Sequence, residues 1–355
     1  MSTQIFIKMN IKLLAQICKT PGAPGFENDV RELVLKEIKP YVDEVEIDNL
    51  GNVYAIKRGM SDKRVMVAAH MDEIGFMVTH IDEQGFIRFH TLGGFDPKTL
   101  TAQRVIIHGK KDIIGVMASK PIHVMTADER NKVAKLSDYF IDTGLPVKEV
   151  KKLVTIGDPV TREREFIEMG ECVNSKSLDN RLAVFILIET LKNLKGKKIP
   201  HDLYAVFTVQ EEVGIRGANV ASLRIKPDFG FGLDTTIAFD LPGAAAHEKI
   251  TELGKGTAIK IMDASTICDS RMVRYMKQVA DKNKITWQAE ILTAGGTDTA
   301  GIQRMTEGGS IAGAISIPTR HLHQVIEMAH KSDIQGSIDL LIACVSEMDS
   351  FSMKF

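Results

Sequence analysis

The sequence predicts an α/β protein: a mainly parallel sheet with helices on both faces, interrupted by a small β-rich domain. Two observations carry this. Strand-length apolar runs alternate with helical patterns over residues 1–73 and again over 172–355. Such alternation implies a largely parallel sheet covered on both faces. Between them, residues 74–171 hold short β-type runs separated by glycine-bearing turns. A chain of 355 residues is long for one domain and fits two.

Each element has a local reason. Asn10 is placed to cap a first helix, in which Ile11, Leu13, Leu14, Ile17 and Cys18 keep helical spacing. A Pro/Gly loop, 20–25, follows. Val30, Leu33, Val34 and Ile38 then share one face of a second helix. Val45 and Ile47 alternate with acids as in a half-buried strand, and Asn49-Leu50-Gly51-Asn52 turns into a second strand over 53–56. Residues 65–69 form a continuous apolar run, as in a strand buried on both faces. In the β-rich segment the strand-like runs are 76–80, 86–89, 104–108 and 113–117, with a weak helical pattern near 128–135. The alternation then resumes. Helices are expected over 179–194, 270–283 and 334–348, and strands over 203–209, 229–233, 257–262, 286–292 and 310–317.

Composition narrows the function. Charges nearly cancel, at a formal net of −1, so neither nucleic acid nor an anionic membrane surface is called for. No run approaches the roughly 18 apolar residues a membrane helix needs. Residues 1–10 lack the pattern of a secretory signal. Cys18, Cys172, Cys268 and Cys344 lie far apart and form no C-x-x-C pair. They read as reduced thiols, which fits a cytoplasmic protein.

The chemistry gathers at element ends. His70 closes the apolar run 65–69, with Asp72 two residues on. Ligands collect at the carboxyl ends of strands in open α/β sheets, although a histidine there also serves as a structural hydrogen-bonding residue. Glu211 and Glu212 end another apolar strand. Adjacent side chains there point in different directions, so one can bind metal while the other acts as a base; a solvated acidic loop has the same sequence. Asp179 opens an apolar helix, where an acid is also favoured by the helix dipole. Asp234 ends the strand 229–233. His321 and His323 follow the strand 310–317. Taken together, three carboxylates and two imidazoles at separate ends of one α/β domain are the ligand types for a pair of divalent metal ions such as zinc or cobalt. One carboxylate would bridge ions about 3.5–4 Å apart.

The order of motifs resembles the glutamyl/leucyl-type metallo-aminopeptidases that form tetrahedral (TET) particles, also called cellulase M or endoglucanase M. The matching stretches are Ala69-His70-Met71-Asp72-Glu73-Ile74-Gly75-Phe76, Ser177-Leu178-Asp179-Asn180-Arg181, Val209-Gln210-Glu211-Glu212-Val213-Gly214, Gly232-Leu233-Asp234, Gly295-Gly296-Thr297-Asp298, and Ile317-Pro318-Thr319-Arg320 followed by His323. The resemblance implies a metallo-exopeptidase-type α/β domain, 1–73 with 172–355, interrupted by a small β-barrel-like dimerisation domain, 74–171. It implies that His70 and Asp234 hold one metal, that Glu212 and His323 hold the other, and that Asp179 bridges. Glu211 would be the general base and acid, and Asp72 would orient His70. It also implies peptide substrates and dimers assembled into a hollow tetrahedral dodecamer.

One departure stands out. The family continues after its last histidine with Ser or Thr and then Pro, whereas His323 is followed by Gln324-Val325. The change is expected to alter the substrate pocket wall rather than the metal. His323 is preferred over His321 because its spacing from Thr319-Arg320 matches. Gly295-Gly296-Thr297-Asp298 reads either as a substrate-side loop or as a turn before a helix capped by Thr297 or Asp298. The expected reaction is two-metal-assisted release of N-terminal residues from peptides. A related two-metal carboxypeptidase or deacylase, a glycan hydrolase, and a binding protein of the same fold are the alternatives.

Overall fold

A computed structural model describes residues 9–350 and Ser352. Most of the N-terminal segment that lacks a signal pattern, 1–8, lies outside the described residues. The chain opens with helices α1 (Ile11–Lys19) and α2 (Asn28–Ile38). Asn10 caps α1 as expected, its Oδ1 accepting the Leu13 N–H at 3.1 Å. Strands β1 (Glu44–Ile47), β2 (Val53–Lys57) and β3 (Arg64–His70) follow. The next stretch holds β4 (Gly75–Ile81), β5 (Ile87–Leu92), β6 (Arg104–His108), β7 (Asp112–Ala118), α3 (Ala127–Arg130), β8 (Phe140–Asp142), α4 (Val147–Leu153) and β9 (Pro159–Arg162). Its six strands close into a barrel in the order β4-β5-β8-β7-β6-β9. Closure leaves no unpaired edge, and the barrel has its own core around Phe76, Ile87, Val105, Ile107, Ile141 and Val160.

After the barrel come β10 (Ile167–Met169), β11 (Cys172–Ser175), α5 (Leu178–Leu194), β12 (Asp202–Thr208), α6 (Arg216–Ile225), β13 (Phe229–Ile237), β14 (Thr257–Met262), α7 (Ser270–Lys282), β15 (Trp287–Ile291), α8 (Thr299–Arg304), β16 (Ile311–Arg320), β17 (Glu327–His330) and α9 (Lys331–Ser346). These strands join β1–β3 in one large sheet, ordered β1-β2-β12-β3-β13-β16-β17-β11-β10, with β14 pairing β16 and β15 pairing β14. The four central strands β12, β3, β13 and β16 run parallel. On both sides of these four the pairing turns antiparallel, except that β14 and β15 run parallel to each other. β1 and β2 form the hairpin expected at 49–52, while β16, β17, β11 and β10 fold back on one another. Ile167–Met169 thus pairs with the large sheet rather than with the barrel.

Helices cover both faces, and β3 shows how. Val65, Val67 and Ala69 point into a core shared with α1, α2, α5, α7 and α9. Met66 and Ala68 point into a second core with Ala221 and Ile225 of α6 and Ile302 of α8. Successive side chains of a strand face opposite ways, so a strand buried on both faces reads as one unbroken apolar run. β16 extends past its expected end because β13 still pairs with it at Pro318 and Thr319, and β17 at Thr319 and Arg320. Proline lacks a donor, which made 318 look like a stop. β17 and α6 gave too little periodic signal to be read from sequence. Among the described residues no helix is long and apolar enough to cross a membrane. The four cysteines are free thiols.

Glycines in β13 let α8 sit close. A Cβ on Gly232 would lie 2.0 Å from Thr299 Oγ1, and one on Gly230 would lie 2.1 Å from Ile302 Cγ2. Gly232→Ala is therefore expected to lose about 1–3 kcal/mol of stability through overpacking. The urea midpoint of the purified variant checks this, and an unchanged midpoint contradicts it.

Candidate metal centre

Neighbouring parallel strands end side by side, and the crevice beyond their carboxyl ends is where chemistry collects. His70 is the last residue of β3. β12 lies on one side of β3 and runs directly into Gln210-Glu211-Glu212; β13 lies on the other and carries Asp234. β16 leads to His323, and Asp179 enters from the start of α5. The five distant segments read from sequence therefore meet in one place.

The Asp179 carboxylate lies between the two imidazoles. Its Oδ1 is 3.4 Å from His70 Nε2, and its Oδ2 is 3.3 Å from His323 Nε2. On the first side, His70 Nε2 is 3.8 Å from Asp234 Oδ1 and 3.9 Å from Glu211 Oε2. On the second, His323 Nε2 is 3.7 Å from Glu212 Oε2. Ligand atoms of His70, Asp179 and Glu212 all fall within 4.8 Å of one another. His70 is almost wholly buried, whereas the His323 side chain is 35% exposed.

The backbone here is unusual. Asp179 (φ −77°, ψ 108°) and Asn180 (φ −119°, ψ 36°) are not helical, so Asp179 is not an ordinary first-turn helix residue. Its N–H donates to Glu327 Oε2 at 3.0 Å, and Asn180 Nδ2 donates to the Leu233 carbonyl at 2.9 Å. Ser177, Gln210, Ile215, His321 and His323 have φ between 54° and 63°. Non-glycine residues enter this left-handed region at a cost, and such residues cluster at functional sites.

The electrostatics of these side chains suit a bound cation. Burial, reinforced by the Asp179 charge, pushes the Glu212 carboxyl up to about 8. Burial likewise drives Glu211 well above the carboxylate range and raises Asp234, with His70 opposing in both cases. Burial raises Asp179 too, but the His323 and His70 imidazoles beside it outweigh this and hold it low. Burial lowers His323, yet Asp179 beside it lifts it to about 10. Asp179 Oδ1 and Glu212 Oε1 are buried with no hydrogen-bond partner. Four acids facing two imidazoles, with orphaned oxygens among them, fit divalent cations, which would supply the missing charge.

The surrounding residues include several that sequence reasoning missed or placed differently. Asp72 was expected to orient His70. Its carbonyl oxygen lies 3.1 Å from His70 Nδ1, and its carboxylate oxygen is 3.5 Å from the same atom. That carboxylate accepts the N–H groups of Glu211 and Glu212, each at 3.1 Å. Asp72 thus fixes both glutamates through their main chain as well. Glu27 accepts the Gly25 and Gln210 N–H groups at 2.8 and 3.1 Å. Buried Glu327 accepts the His323 N–H at 2.9 Å besides that of Asp179. Set between Ile326 and Met328, it had no pattern to mark it.

A cavity of about 510 Å³ opens over this centre, lined in part by Ile215, Ile237, Lys260, Gly296, Thr297 and Leu322. Gly295, Gly296 and Thr297 border it, as expected of a substrate-side loop. Helix α8 follows, but the Asp298 side chain makes no cap bond; it accepts from Thr208 Oγ1 instead. After His323, Val325 is buried.

The profile of the family described as M42 glutamyl aminopeptidase matches residues 51–340. The lysyl aminopeptidase of Pyrococcus furiosus is 33% identical over 350 residues, spanning 95% of this chain and 97% of that protein. The crystal structure of a TET aminopeptidase from a marine-sediment Thaumarchaeota archaeon is similar at TM-score 0.92 and 34% identity, covering 95% of this chain and 96% of that one. The Pyrococcus horikoshii TET1 peptidase, described as assembling into a tetrahedron or a large octahedral shell, is similar at TM-score 0.85 and 31% identity, covering 95% and 99%.

A buried ion cluster pins the loop after His70 to the loop before Asp179. Lys176 Nζ donates to both Glu73 oxygens at 2.7 and 2.6 Å, and Arg181 Nη2 lies 3.5 Å from Glu73 Oε1. Arg181 Nη1 also donates to the Ile17 and Thr20 carbonyls. Removing one partner of a buried pair strands the others. Glu73→Ala is expected to lose about 3–5 kcal/mol, read as a lower urea midpoint without added metal. Wild-type stability would contradict this role.

Proposed function

Because the chain belongs to the M42 glutamyl aminopeptidase family, we propose that this peptidase releases N-terminal residues from peptides with the help of two divalent metal ions. The observation that carries this reading is the Asp179 carboxylate, one oxygen facing His70 and the other facing His323. In this assignment His70 and Asp234 would hold one ion, Glu212 and His323 would hold the other, and Asp179 would be shared between them. Zinc or cobalt suits the nitrogen and oxygen donor set. Bound there, such ions would supply Lewis acidity and a nucleophilic water near neutral pH.

The chain's own groups do the rest. Glu211 lines the cavity with its Oε2 3.9 Å from His70 Nε2. It takes the proton of the attacking water and returns it to the leaving amine. Asp72 holds the main chain of Glu211 and Glu212, so base and neighbouring ligand move as one unit. The substrate's free α-amine would coordinate or hydrogen-bond at the same centre, which would restrict cleavage to the first peptide bond. The walls combine Ile215, Ile237 and Leu322 with the 295–297 loop and receive the N-terminal side chain.

Residues 1–73 and 172–355 are assigned to the catalytic domain and 74–171 to a dimerisation domain. Dimers built on the barrel would assemble into a tetrahedral dodecamer in the cytoplasm. The similarity to the Pyrococcus horikoshii TET1 peptidase supports this assembly, and the exposed Ile114 and Val116 on β7 give the barrel an apolar face.

Two experiments test these readings. Glu211→Gln is expected to lower kcat on aminoacyl chromogenic substrates by about 10²–10⁴-fold while the metal content of the protein stays at the wild-type level. In the same assay a chelator should abolish wild-type activity and added zinc or cobalt restore it. Full activity in the variant removes Glu211 from the mechanism, and full activity after chelation removes the metals. Light scattering of the purified chain should give a twelve-subunit mass, and a monomer mass overturns the assembly.

A further inference from the structure

His323 is the most exposed of the proposed ligands and stands on a left-handed residue after β16. Three contacts hold it, and two of them come from the 74–171 segment. Its Nδ1 lies 2.9 Å from the Gly94 carbonyl, in the loop after β5. Its main-chain carbonyl accepts from Arg162 Nη1 at 2.9 Å, and Arg162 is the last residue of β9. Its N–H donates to Glu327.

Arg162 is itself firmly held. It is only 3% exposed, and its guanidinium lies 5.6 Å from the centre of the Phe95 ring, which stacks on Phe76 in the barrel core. Strand β9 pairs with β4 on one side and β6 on the other, so its end cannot shift without the barrel. Glu327, wholly buried, accepts the N–H groups of both Asp179 and His323.

We propose that Arg162 is a positioning residue of the metal centre, through which the barrel fixes the main chain of His323. The inference rests on the two-metal reading above. Partners that orient a ligand, without touching the metal, set metal affinity to within about 10–100-fold. The hydrogen bond of Arg162 reaches the centre at His323, whereas the contacts of His70 arise within the large sheet and the loops at its strand ends.

Zinc(II) titration of the metal-stripped full-length protein by calorimetry tests this, with wild type, Arg162→Met, Arg162→Lys and His323→Ala compared. Arg162→Met is expected to weaken one of two binding events by about 10–100-fold and leave the other unchanged. His323→Ala should remove that same event, and Arg162→Lys, which restores the charge and a donor, should recover part of the loss. The melting temperature of the metal-free Arg162→Met protein should stay near wild type. Two events of wild-type affinity in Arg162→Met overturn the positioning role. So does a uniform weakening of both events with a lowered metal-free melting temperature, which marks Arg162 as merely structural. Should Arg162→Met not fold, Arg162→Lys decides alone: two events of wild-type affinity in it overturn the positioning role, and a selective weakening of one event supports it. No zinc uptake by wild type overturns the metal reading itself, an outcome distinct from the others.

Discussion

Buried negative charge at the carboxyl ends of the parallel strands is the constraint around which this molecule is organised. Asp179, Glu211, Glu212 and Asp234 share a small volume with only two imidazoles. Two like charges 4 Å apart repel by about 4 kcal/mol even at an effective dielectric constant of about 20. Such a cluster is tolerable with compensating cations; burial first, and the neighbouring carboxylates second, raise the Glu211, Glu212 and Asp234 carboxyls. The next layer is acidic too. Asp72, Glu27 and Glu327 each accept two main-chain N–H groups. A carboxylate offers several acceptor positions and can hold two peptides in fixed relation. The acids around the centre thus work as anchors for the main chain of those within it.

Rigidity at the site has two origins. His70 and Asp234 stand on strands paired on both sides, deep in the sheet. Glu211, Glu212 and His323 stand on loops, where the main chain passes through left-handed residues without glycine. These conformations persist because surrounding contacts over-determine them. Gln210, for example, is held by Glu27, and the two residues after it by Asp72.

The barrel is more than an appendage. Its strands form a separate core, yet the 74–171 segment reaches the centre twice, through Gly94 and Arg162. Gly94 also borders the cavity. Any movement of the barrel against the large sheet would be felt first at His323. The Glu73–Lys176–Arg181 cluster ties the chain entering the barrel to the start of α5 in the same way. The two junctions between the units therefore lie against the site rather than away from it.

Local order along the chain was legible in the sequence. The continuous apolar run of β3, the Asn10 cap of α1 and the helical spacing of α2 depend on neighbours within a few residues, so periodicity reveals them. The five polar side chains at element ends were legible for the same reason, because an acid or imidazole abutting an apolar run stands out. What only the tertiary structure decided are contacts between remote segments. Glu327 meets Asp179 across 148 positions and Arg162 meets His323 across 161. The second role of Asp72, the length of β16 beyond Pro318 and the non-helical start of α5 arise likewise from partners far along the chain. A buried acid between apolar residues looks the same in sequence whether it faces water or clamps a peptide; only the approach of its partner distinguishes the two.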